Sequence, residues 1–375
     1  MRIHRRTSAA SSASRAAALG ALALAAATFG GCRAEAVPRK PSPLKTAVKP
    51  VPPGGSLIEG AGATFPAALY DAWFRKYAAD HPDRVVAYDA VGSGEGVRRF
   101  IGRDVADDER VDFGASDAAM RDDELAAVQS GAVLVPLTAG SVALAYNLPD
   151  VHPQLALSRQ AYVGIFLGTV KTWRDPLIAR SNPGVALPDL TITTAVRQDG
   201  SGTTFAFTKH LDAISEQWRD QYGPSTVVDW PGSAMRATGN EGVAGRIKQS
   251  IGSIGYVGYE FARKAGLQTA RLENRAGRFV DPDPGNAASA FVDVPLPENL
   301  RLYVPDPPRD DAYPIVTLTW VLLYRHYGDP RKSAEIRDLF RWCLNDGQQY
   351  AGALGYAALP PGIVRQSLAA LDRVQ

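Results

Sequence analysis

The 375-residue chain is poor in cysteine and histidine, and these shortages limit the chemistry that it can carry. It has two cysteines, and its five histidines stand at positions 4, 81, 152, 210 and 326. None of the histidines is clustered with the spacing that metal ligands require. We therefore expect neither a metal nor any other cofactor.

The sequence also lacks a strong charge of either sign. Its formal net charge is +2, and it contains no long basic run, which argues against nucleic acid as a partner. Beyond the N-terminus, no apolar stretch approaches the roughly 18–20 residues that a membrane-spanning helix needs. With 45% hydrophobic and 21% charged residues, the composition is that of a folded soluble protein, and the length allows two domains.

The N-terminus carries the features of an export signal. Four arginines accompany an apolar run over residues 16–27, which is followed by Phe29-Gly30-Gly31-Cys32. Two small residues before a cysteine resemble a bacterial lipobox, and we favour a lipoprotein signal over residues 1–32 with Cys32 as the lipidated residue. Cleavage after Ala34-Glu35-Ala36 is the alternative. Residues 33–56, rich in proline, lysine and alanine, are predicted to form a disordered linker.

After processing at Cys32, Cys343 is the other cysteine of the chain, so an internal disulfide cannot form. Cys343 follows Ile336, Leu339 and Phe340 at helical spacing. We therefore interpret it as a buried small hydrophobic residue. The folded body is expected to be held together by its core alone.

The sequence Arg197-Gln198-Asp199-Gly200-Ser201-Gly202-Thr203 predicts an anion site. An apolar series with helical spacing follows it, at Phe207, Leu211, Ile214 and Trp218. Free backbone N–H groups and the positive end of a helix dipole attract anions, and the guanidinium of Arg197 suits a tetrahedral oxyanion. The alternatives are an ordinary Asp-Gly-Ser-Gly turn and a weak surface ion pair between Arg197 and Asp199.

Three further turns with glycine stand between strand-like and helix-like segments. They are Gly60-Ala61-Gly62-Ala63-Thr64-Phe65-Pro66, Val91-Gly92-Ser93-Gly94-Glu95-Gly96 and Asp112-Phe113-Gly114-Ala115-Ser116-Asp117. Strands that alternate with helices predict an α/β architecture. Residues 133–136 and 141–147 are predicted as two separate strands. For Asp117 taken alone, a helix cap is the alternative.

Together, these motifs resemble the periplasmic phosphate-binding proteins of bacterial ABC importers. The resemblance runs from about Leu57 to the C-terminal helices and includes Gly239-Asn-Glu-Gly-Val, Ile254-Gly-Tyr-Val and Tyr313-Pro-Ile. It implies a two-lobed, type II-like periplasmic-binding-protein fold with a hinge between the lobes. The first lobe would hold residues 57–139 and 309–375, and the second would hold residues 140–308. The implied partners are inorganic phosphate and the permease and ATPase of an ABC importer.

The resemblance also implies a set of phosphate-binding residues, which would be Thr64, Phe65, Ser93, Asp117, Arg197, Ser201, Gly202 and Thr203. Asp117 would be the acceptor, and Asp199 would orient Arg197. A carboxylate beside an anion is useful only if the ligand has a proton to donate, which phosphate has at neutral pH and sulfate lacks. Such a site can reject the non-donating analogue by about 10⁴–10⁵-fold. The same argument admits arsenate.

Two features depart from the family pattern. Glu95 stands where the family has a small residue, and it brings negative charge near the predicted site, unless it points outward as a first-turn carboxylate of a helix. Residues 102–110 are longer and more acidic than the family pattern, which indicates a surface insertion.

A phosphatase-like enzyme is the main rival interpretation. It would need a nucleophile beside a base, or metals. Neither Ser93 nor Ser201 fits the Gly-x-Ser-x-Gly elbow, and His210 is interpreted as structural. We therefore predict that the protein is not an enzyme. A phosphate-sensing or surface lipoprotein is a further alternative on the same fold.

Overall fold

The computed structural model describes residues 50–375. The predicted signal peptide, the predicted lipidation of Cys32 and most of the predicted linker lie outside the described residues. A turn closed by the hydrogen bond from Gly55 N to Pro52 O (2.9 Å) leads into the first strand. That strand begins at Ser56, which the sequence analysis placed at the end of the linker.

The described residues form twelve strands, in part because β-branched and aromatic side chains are concentrated in these segments. They are β1 (Ser56–Gly62), β2 (Arg84–Asp89), β3 (Phe113–Ser116), β4 (Ala132–Tyr146), β5 (Ala156–Leu157), β6 (Thr193–Arg197), β7 (Met235–Ala237), β8 (Ser253–Gly258), β9 (Gln268–Thr269), β10 (Arg271–Glu273), β11 (Phe279–Val280) and β12 (Val316–Tyr324).

The same residues form thirteen α-helices, several of which begin with a side-chain cap or a proline in the first turn. They are α1 (Ala67–Asp80), α2 (Ser93–Ile101), α3 (Asp122–Ala126), α4 (Arg159–Leu167), α5 (Pro176–Ala179), α6 (Gly202–Ile214), α7 (Glu216–Gln221), α8 (Gly239–Gln249), α9 (Tyr259–Ala265), α10 (Pro284–Ser289), α11 (Pro330–Asn345), α12 (Ala351–Leu354) and α13 (Pro361–Leu371). Single 3₁₀ turns lie at Asp107–Glu109 and Gly347–Tyr350. Cys343 is buried in α11, as predicted.

Most strands join one curled sheet in the order β2-β1-β3-β12-β4-β8-β6-β7, and β9 also pairs with β4. β1 is parallel to β2 and β3, and β6 is parallel to β7 and β8, as expected where helices connect successive strands. β12 and β4 are antiparallel to their neighbours. A small second sheet holds β5, β10 and β11. The predicted α/β architecture is confirmed.

The long strand β4 belongs to both halves of the large sheet. Residues 132–141 pair with β12, and residues 142–146 pair with β8. The prediction of two separate strands was wrong, because the strand passes Pro136 without a break. Thr319 pairs with Thr138 and Trp320 pairs with Pro136, so one extra residue forms a bulge, where proline is tolerated. The lobe boundaries at 139/140 and 308/309 stay a prediction.

The helix after the anion motif is shorter than its apolar spacing predicts. α6 ends at Ile214, and Trp218 belongs to α7. The break lies at Ser215, whose hydroxyl accepts a hydrogen bond from Trp218 N (3.1 Å) and caps the second helix. Trp218 is still fully buried and packs on Trp230, so the apolar face continues across the break.

Candidate functional site

The four glycine-containing turns of the sequence meet in one place. The turns after β1 and β3 are adjacent because these strands are parallel neighbours. The turn after β6 reaches them from the other half of the sheet, where Gly94 N donates to Gly200 O (2.9 Å). Gly202 packs so closely that a Cβ there would lie 2.5 Å from Asp117 Cβ and 2.7 Å from Ser93 Oγ. Only glycine fits this contact.

Three helices begin at this junction, and each brings unsatisfied backbone N–H groups to it. α2 begins at Ser93, α6 begins at Gly202 after the cap residue Ser201, and α8 begins at Gly239. Gly92, which precedes α2, has φ of 98°, and a Cβ there would lie 2.5 Å from Asp199 Oδ2. The positive ends of three helix dipoles therefore point at one region, which favours a bound anion.

Arg197 and Asp199 form a buried ion pair. Arg197 Nε donates to Asp199 Oδ1 (2.8 Å), and its Nη2 group contacts Asp199 Oδ2. The Arg197 side chain is 2% exposed, so the alternative of a weak surface pair is wrong. Gly239 N also donates to Asp199 Oδ1 (3.1 Å). Burial raises the pKa of Asp199, but the Arg197 hydrogen bonds and charge outweigh it, and the pKa stays below its ordinary value.

The arrangement leaves part of the guanidinium for another partner. Nε and Nη2 are engaged by Asp199, whereas Nη1 donates to no other described residue. Gly92 lies beside Nη2 without a side chain that would cover it. Asp199 thus fixes the plane of Arg197 and leaves the Nη1 donors available for another acceptor.

Asp117 is the buried carboxylate of the site. Its Oδ1 accepts from Thr319 Oγ1 (2.7 Å), and its backbone carbonyl accepts from Thr317 Oγ1 (3.2 Å). Burial raises the pKa of Asp117 to about 7, against the hydrogen bond from Thr319, the charge of Arg197 and the hydrogen bond from Thr203. Asp117 does not cap α3, because that helix begins at Asp122 after Arg121. The carboxyl group therefore faces the junction rather than a helix end.

The remaining predicted residues supply hydrogen-bond donors. Ser201 Oγ accepts from Thr204 N (3.0 Å), and Ser93 Oγ accepts from Asp117 N (3.3 Å), so each hydroxyl keeps its proton for another acceptor. Among the predicted site residues, the backbone amides that donate to no other described residue are those of Thr64, Phe65, Ser93, Gly202 and Thr203. The structure thus brings every predicted site residue of the described chain together.

Phe65 is positioned by residues from distant parts of the chain. Its carbonyl oxygen accepts from the Tyr356 hydroxyl (2.7 Å), and the two rings pack edge to face at 5.6 Å. Gly140 lies against the Phe65 ring, where a Cβ would come within 2.9 Å of it. These contacts hold the turn that carries the free amides of Thr64 and Phe65.

Glu95 does not point into the junction. Its carboxylate binds Arg98 through two contacts of 2.8 Å and Arg99 through one of 3.0 Å. The hydrogen bonds from Arg98 lower the pKa of Glu95 to about 2, with help from Arg99 and against partial burial. Glu109, from the acidic segment 102–110, binds the same Arg98 (2.8 Å). Glu95 and Glu109, one from each departure from the family pattern, are therefore both paired with Arg98 on α2.

Two contributors were missed by the sequence analysis. Asn240 donates to the hydroxyl oxygens of Thr64 (2.9 Å) and Thr203 (3.2 Å), and the Gly239-Asn-Glu-Gly-Val motif was the signal that could have identified it. Thr319 donates to Asp117 from the apolar strand β12, where no local pattern marks it.

His210 lies apart from the junction in a structural role, as interpreted from the sequence. Its Nε2 atom lies 2.9 Å from the Tyr162 hydroxyl, and its Nδ1 atom contacts Pro305 O. Burial lowers the pKa of His210 to about 4, so it is neutral at pH 7. Within residues 50–375, no cluster of three or more histidine, cysteine or acidic side chains could hold a metal ion. No helix in that range is long and apolar enough to cross a membrane.

Comparison with known proteins adds to this geometry. A sequence model described as the PBP superfamily domain matches residues 12–346. The phosphate-binding protein PstS of Pasteurella multocida is 35% identical over 312 residues, covering 82% of this chain and 88% of that protein. PstS of Methanocaldococcus jannaschii is 32% identical over 345 residues, covering 86% of this chain and 87% of that protein.

A solved phosphate-binding protein from Stenotrophomonas maltophilia has a similar fold. It aligns with a TM-score of 0.67 at 19% identity, over 84% of this chain and 94% of its own. At this identity the likeness concerns the fold. It confirms the predicted two-lobed α/β class.

Proposed function

Because this chain belongs to the PBP superfamily and, within it, to the PstS family, we propose that it binds inorganic phosphate outside the cytoplasm and delivers it to an ABC importer. The observation that carries the proposal is the convergence of free donors and one buried acceptor, Asp117, at the junction of three helix starts. The relatives are named as binding proteins, and we infer that this chain is one too, rather than an enzyme.

The donors fit an anion that has lost its water. A buried anion needs hydrogen bonds to replace its hydration, because burying an unpaired charge costs several kcal/mol. Hydrogen bonds to charged groups contribute roughly 1.5–3 kcal/mol each, so a set of about ten offsets that cost. The proposed phosphate ligands are Thr64, Phe65, Ser93, Asp117, Arg197, Ser201, Gly202 and Thr203, with Asp199 orienting Arg197.

Asp117 gives the site its selectivity. A phosphate ion at neutral pH carries a proton that it can donate to the carboxylate, whereas sulfate would place its lone pairs against those of Asp117. A site that relies on such a bond rejects the analogue lacking the proton by about 10⁴–10⁵-fold. The buried position of Asp117 strengthens this contrast, since solvent screens a buried charge much less than an exposed one.

We propose calorimetry as the test of the function. The purified protein is unfolded and refolded to remove bound ligand, and is then titrated with phosphate and with sulfate at about pH 9, where Asp117 is ionised. We expect tight 1:1 binding of phosphate and no response to sulfate. Absence of phosphate binding after this treatment would sink the proposal. Binding of both anions would point to an importer of another oxyanion.

We also propose that the chain is exported and lipid-anchored through Cys32. The proposal rests on the basic start, the apolar run and the small residues before Cys32. When cells are fractionated, the natural chain is expected in the membrane fraction. The Cys32→Ala variant is expected in the soluble fraction instead. Unchanged membrane association of the variant would exclude the anchor and favour cleavage after Ala36.

A phosphate-sensing role and a phosphatase-like activity remain alternatives to delivery. A sensor would bind phosphate without supporting its uptake. Phosphate uptake by cells that lack this chain therefore separates the two roles, because it should fall only if the chain delivers phosphate. A phosphatase needs a base beside its nucleophile. The hydroxyls of Ser93 and Ser201 instead accept backbone N–H groups in the described structure, which favours binding over catalysis.

A further inference from the structure

Asn240, the second residue of α8, is fully buried and makes four hydrogen bonds beside the candidate site. Its backbone N donates to Thr64 Oγ1 (3.2 Å), and its Nδ2 donates to Thr64 Oγ1 (2.9 Å) and to Thr203 Oγ1 (3.2 Å). Its Oδ1 accepts from Gly258 N (2.9 Å). Every polar atom of the side chain therefore has a partner.

Gly258 fixes which way the amide of Asn240 points. A backbone N–H can only donate, so the side-chain atom that faces Gly258 must be the oxygen. The NH₂ group then faces the two threonines and can only donate to them. The hydroxyl oxygens of Thr64 and Thr203 are therefore acceptors toward Asn240.

This arrangement decides what the two hydroxyls can offer to a ligand. Thr64 Oγ1 receives two N–H groups, which occupy both of its lone pairs, so its own proton is the capacity that remains. Thr203 Oγ1 receives one N–H group, and its proton is directed to Asp117. Thr64 is thus left as a donor toward the junction, where an anion needs donors.

We propose that Asn240 is a positioning residue that makes Thr64 an obligate hydrogen-bond donor to the bound anion and holds the two lobes together around it. The inference rests on the proposed binding of phosphate. In the predicted lobe division, Thr64 lies in residues 57–139, whereas Asn240, Thr203 and Gly258 lie in residues 140–308. The bonds from Asn240 to Thr64 then form only on closure, so closing the cleft and setting the polarity of the Thr64 hydroxyl are one event.

A double-mutant cycle tests whether Asn240 acts through Thr64. Phosphate affinity is measured by calorimetry for the full chain, for Asn240→Ala, for Thr64→Val and for the double variant. We expect Asn240→Ala to weaken binding roughly 10- to 100-fold, because both threonine hydroxyls lose their fixed orientation. On the Thr64→Val background, the loss caused by Asn240→Ala should shrink at least about threefold. Equal losses on both backgrounds would overturn the proposal.

The Asn240→Asp variant separates orientation from packing. An aspartate has nearly the same shape, but its carboxylate accepts protons from both threonines and reverses the polarity of their hydroxyls. We expect a loss of affinity at least as large as that of Asn240→Ala. If Asn240→Asp binds phosphate like the natural chain, shape alone explains Asn240 and the proposal is wrong.

Asn147→Ala is the matched control. Asn147 also holds α8, but from the other end, where its Nδ2 donates to Ile247 O (2.9 Å) and Lys248 O (3.1 Å). We expect its phosphate affinity to stay within about threefold of the natural chain, and an equal loss in Asn147→Ala and Asn240→Ala would reduce Asn240 to a residue that only holds α8 in place. Lack of binding by the natural chain would overturn the proposed function and this inference together, whereas unchanged affinity in Asn240→Ala overturns this inference alone.

Discussion

Asp117 and Glu95 are acidic residues of neighbouring turns, and the protein gives them opposite surroundings. Asp117 is buried, and burial raises its pKa from an ordinary value of 3.8 to about 7 despite the donors that face it. Glu95 lies on the outer side of α2, where hydrogen bonds from Arg98 and Arg99 lower its pKa from 4.5 to about 2. One carboxyl group is held close to neutrality, and the other is held firmly ionised.

The difference shows how an anion site tolerates acidic residues. Negative charge harms anion binding only where it is uncompensated and close. Glu95 is compensated by two arginines before its field reaches the junction. Asp117 is not ion-paired, and it can face an anion because either it or the ligand can carry the proton of their shared hydrogen bond. The position and partners of an acidic residue, rather than its presence in the motif, therefore decide its effect on anion binding.

The largest effect is expected from Asp117→Asn. The asparagine amide can donate as well as accept, so the variant removes the repulsion that excludes sulfate. We expect sulfate affinity to rise by about 100-fold or more, while phosphate affinity falls about tenfold because the charge-assisted bond is lost. Calorimetry with both anions at about pH 9, where Asp117 of the natural chain is ionised, measures the change.

Asp112→Asn is the control for this variant. Asp112 belongs to the same sequence motif, but it binds Lys332 Nζ (2.8 Å) and Glu59 N (2.9 Å) away from the junction. Its anion selectivity should match that of the natural chain. If Asp117→Asn still ignores sulfate, the carboxylate is not the selectivity element.

The second prediction concerns the pH dependence of sulfate binding by the natural chain. The raised pKa means that Asp117 gains its proton as the pH falls through about 7. A protonated Asp117 has an O–H to donate, so it no longer repels an anion without protons. We expect sulfate affinity to increase roughly tenfold per pH unit as the pH falls from about 9 to about 7 and to level off below pH 7, measured by calorimetry. A sulfate affinity that does not change with pH would show that protonation of Asp117 does not control which anions bind.

Much of the site could be predicted from the sequence because its motifs are local. A turn of glycines and hydroxyl residues between a strand and a helix produces free amides whatever surrounds it, and this applies to Ser93 and to the segment after Arg197. Thr319 could not be predicted, since it reaches Asp117 only through the antiparallel pairing of β12 with β3. Long-range pairing also explains why β4 was predicted as two strands. A bulge opposite Thr319 and Trp320 lets the strand continue past Pro136, and this bulge depends on the pairing with β12.

Glu260 extends the comparison to a buried carboxyl group that forms no ion pair with a described residue. It is 5% exposed at the start of α9, and its two carboxyl oxygens have no hydrogen bond of ordinary geometry to any described residue. The Tyr356 hydroxyl lies beside it but donates to Phe65 O. Burial, with a smaller contribution from the charge of Asp117, raises the pKa of Glu260 well above 4.5. We infer that Glu260 is protonated at pH values where ordinary glutamates are ionised.

The third prediction is that Glu260 makes the protein less stable at higher pH. The folded state binds the Glu260 proton more tightly than the unfolded state, so this stabilisation is full below pH 4.5 and is lost as the pH rises toward the folded-state pKa. The loss is up to about 1.4 kcal/mol per pH unit. Glu260→Gln, which cannot titrate, should flatten the fall in the free energy of unfolding between pH 5 and pH 8.

Urea unfolding at the two pH values measures this slope. Glu335→Gln is the control, because Glu335 is equally buried but binds Arg331 (2.9 Å). The Glu335→Gln variant should be less stable than the natural chain at both pH 5 and pH 8. Its free energy of unfolding should still fall more steeply with pH than that of Glu260→Gln. An unchanged slope in Glu260→Gln would show that Glu260 does not hold its proton in the folded state.

The smallest effect is expected from Glu95→Gln, which tests the other side of the comparison. Because the folded-state pKa of Glu95 lies below its ordinary value, its stabilisation is present above pH 4.5 and is lost as the pH falls toward 2. Glu95 is partly exposed, so solvent screening reduces the loss in the variant at pH 7 to about 0.5–1 kcal/mol. Phosphate affinity should stay within about threefold of the natural chain. If Glu95→Gln binds phosphate ten times more tightly, the negative charge of Glu95 acts on the junction in spite of Arg98 and Arg99. Glu95 and Asp117 would then differ in their distance from the anion rather than in the compensation of their charge.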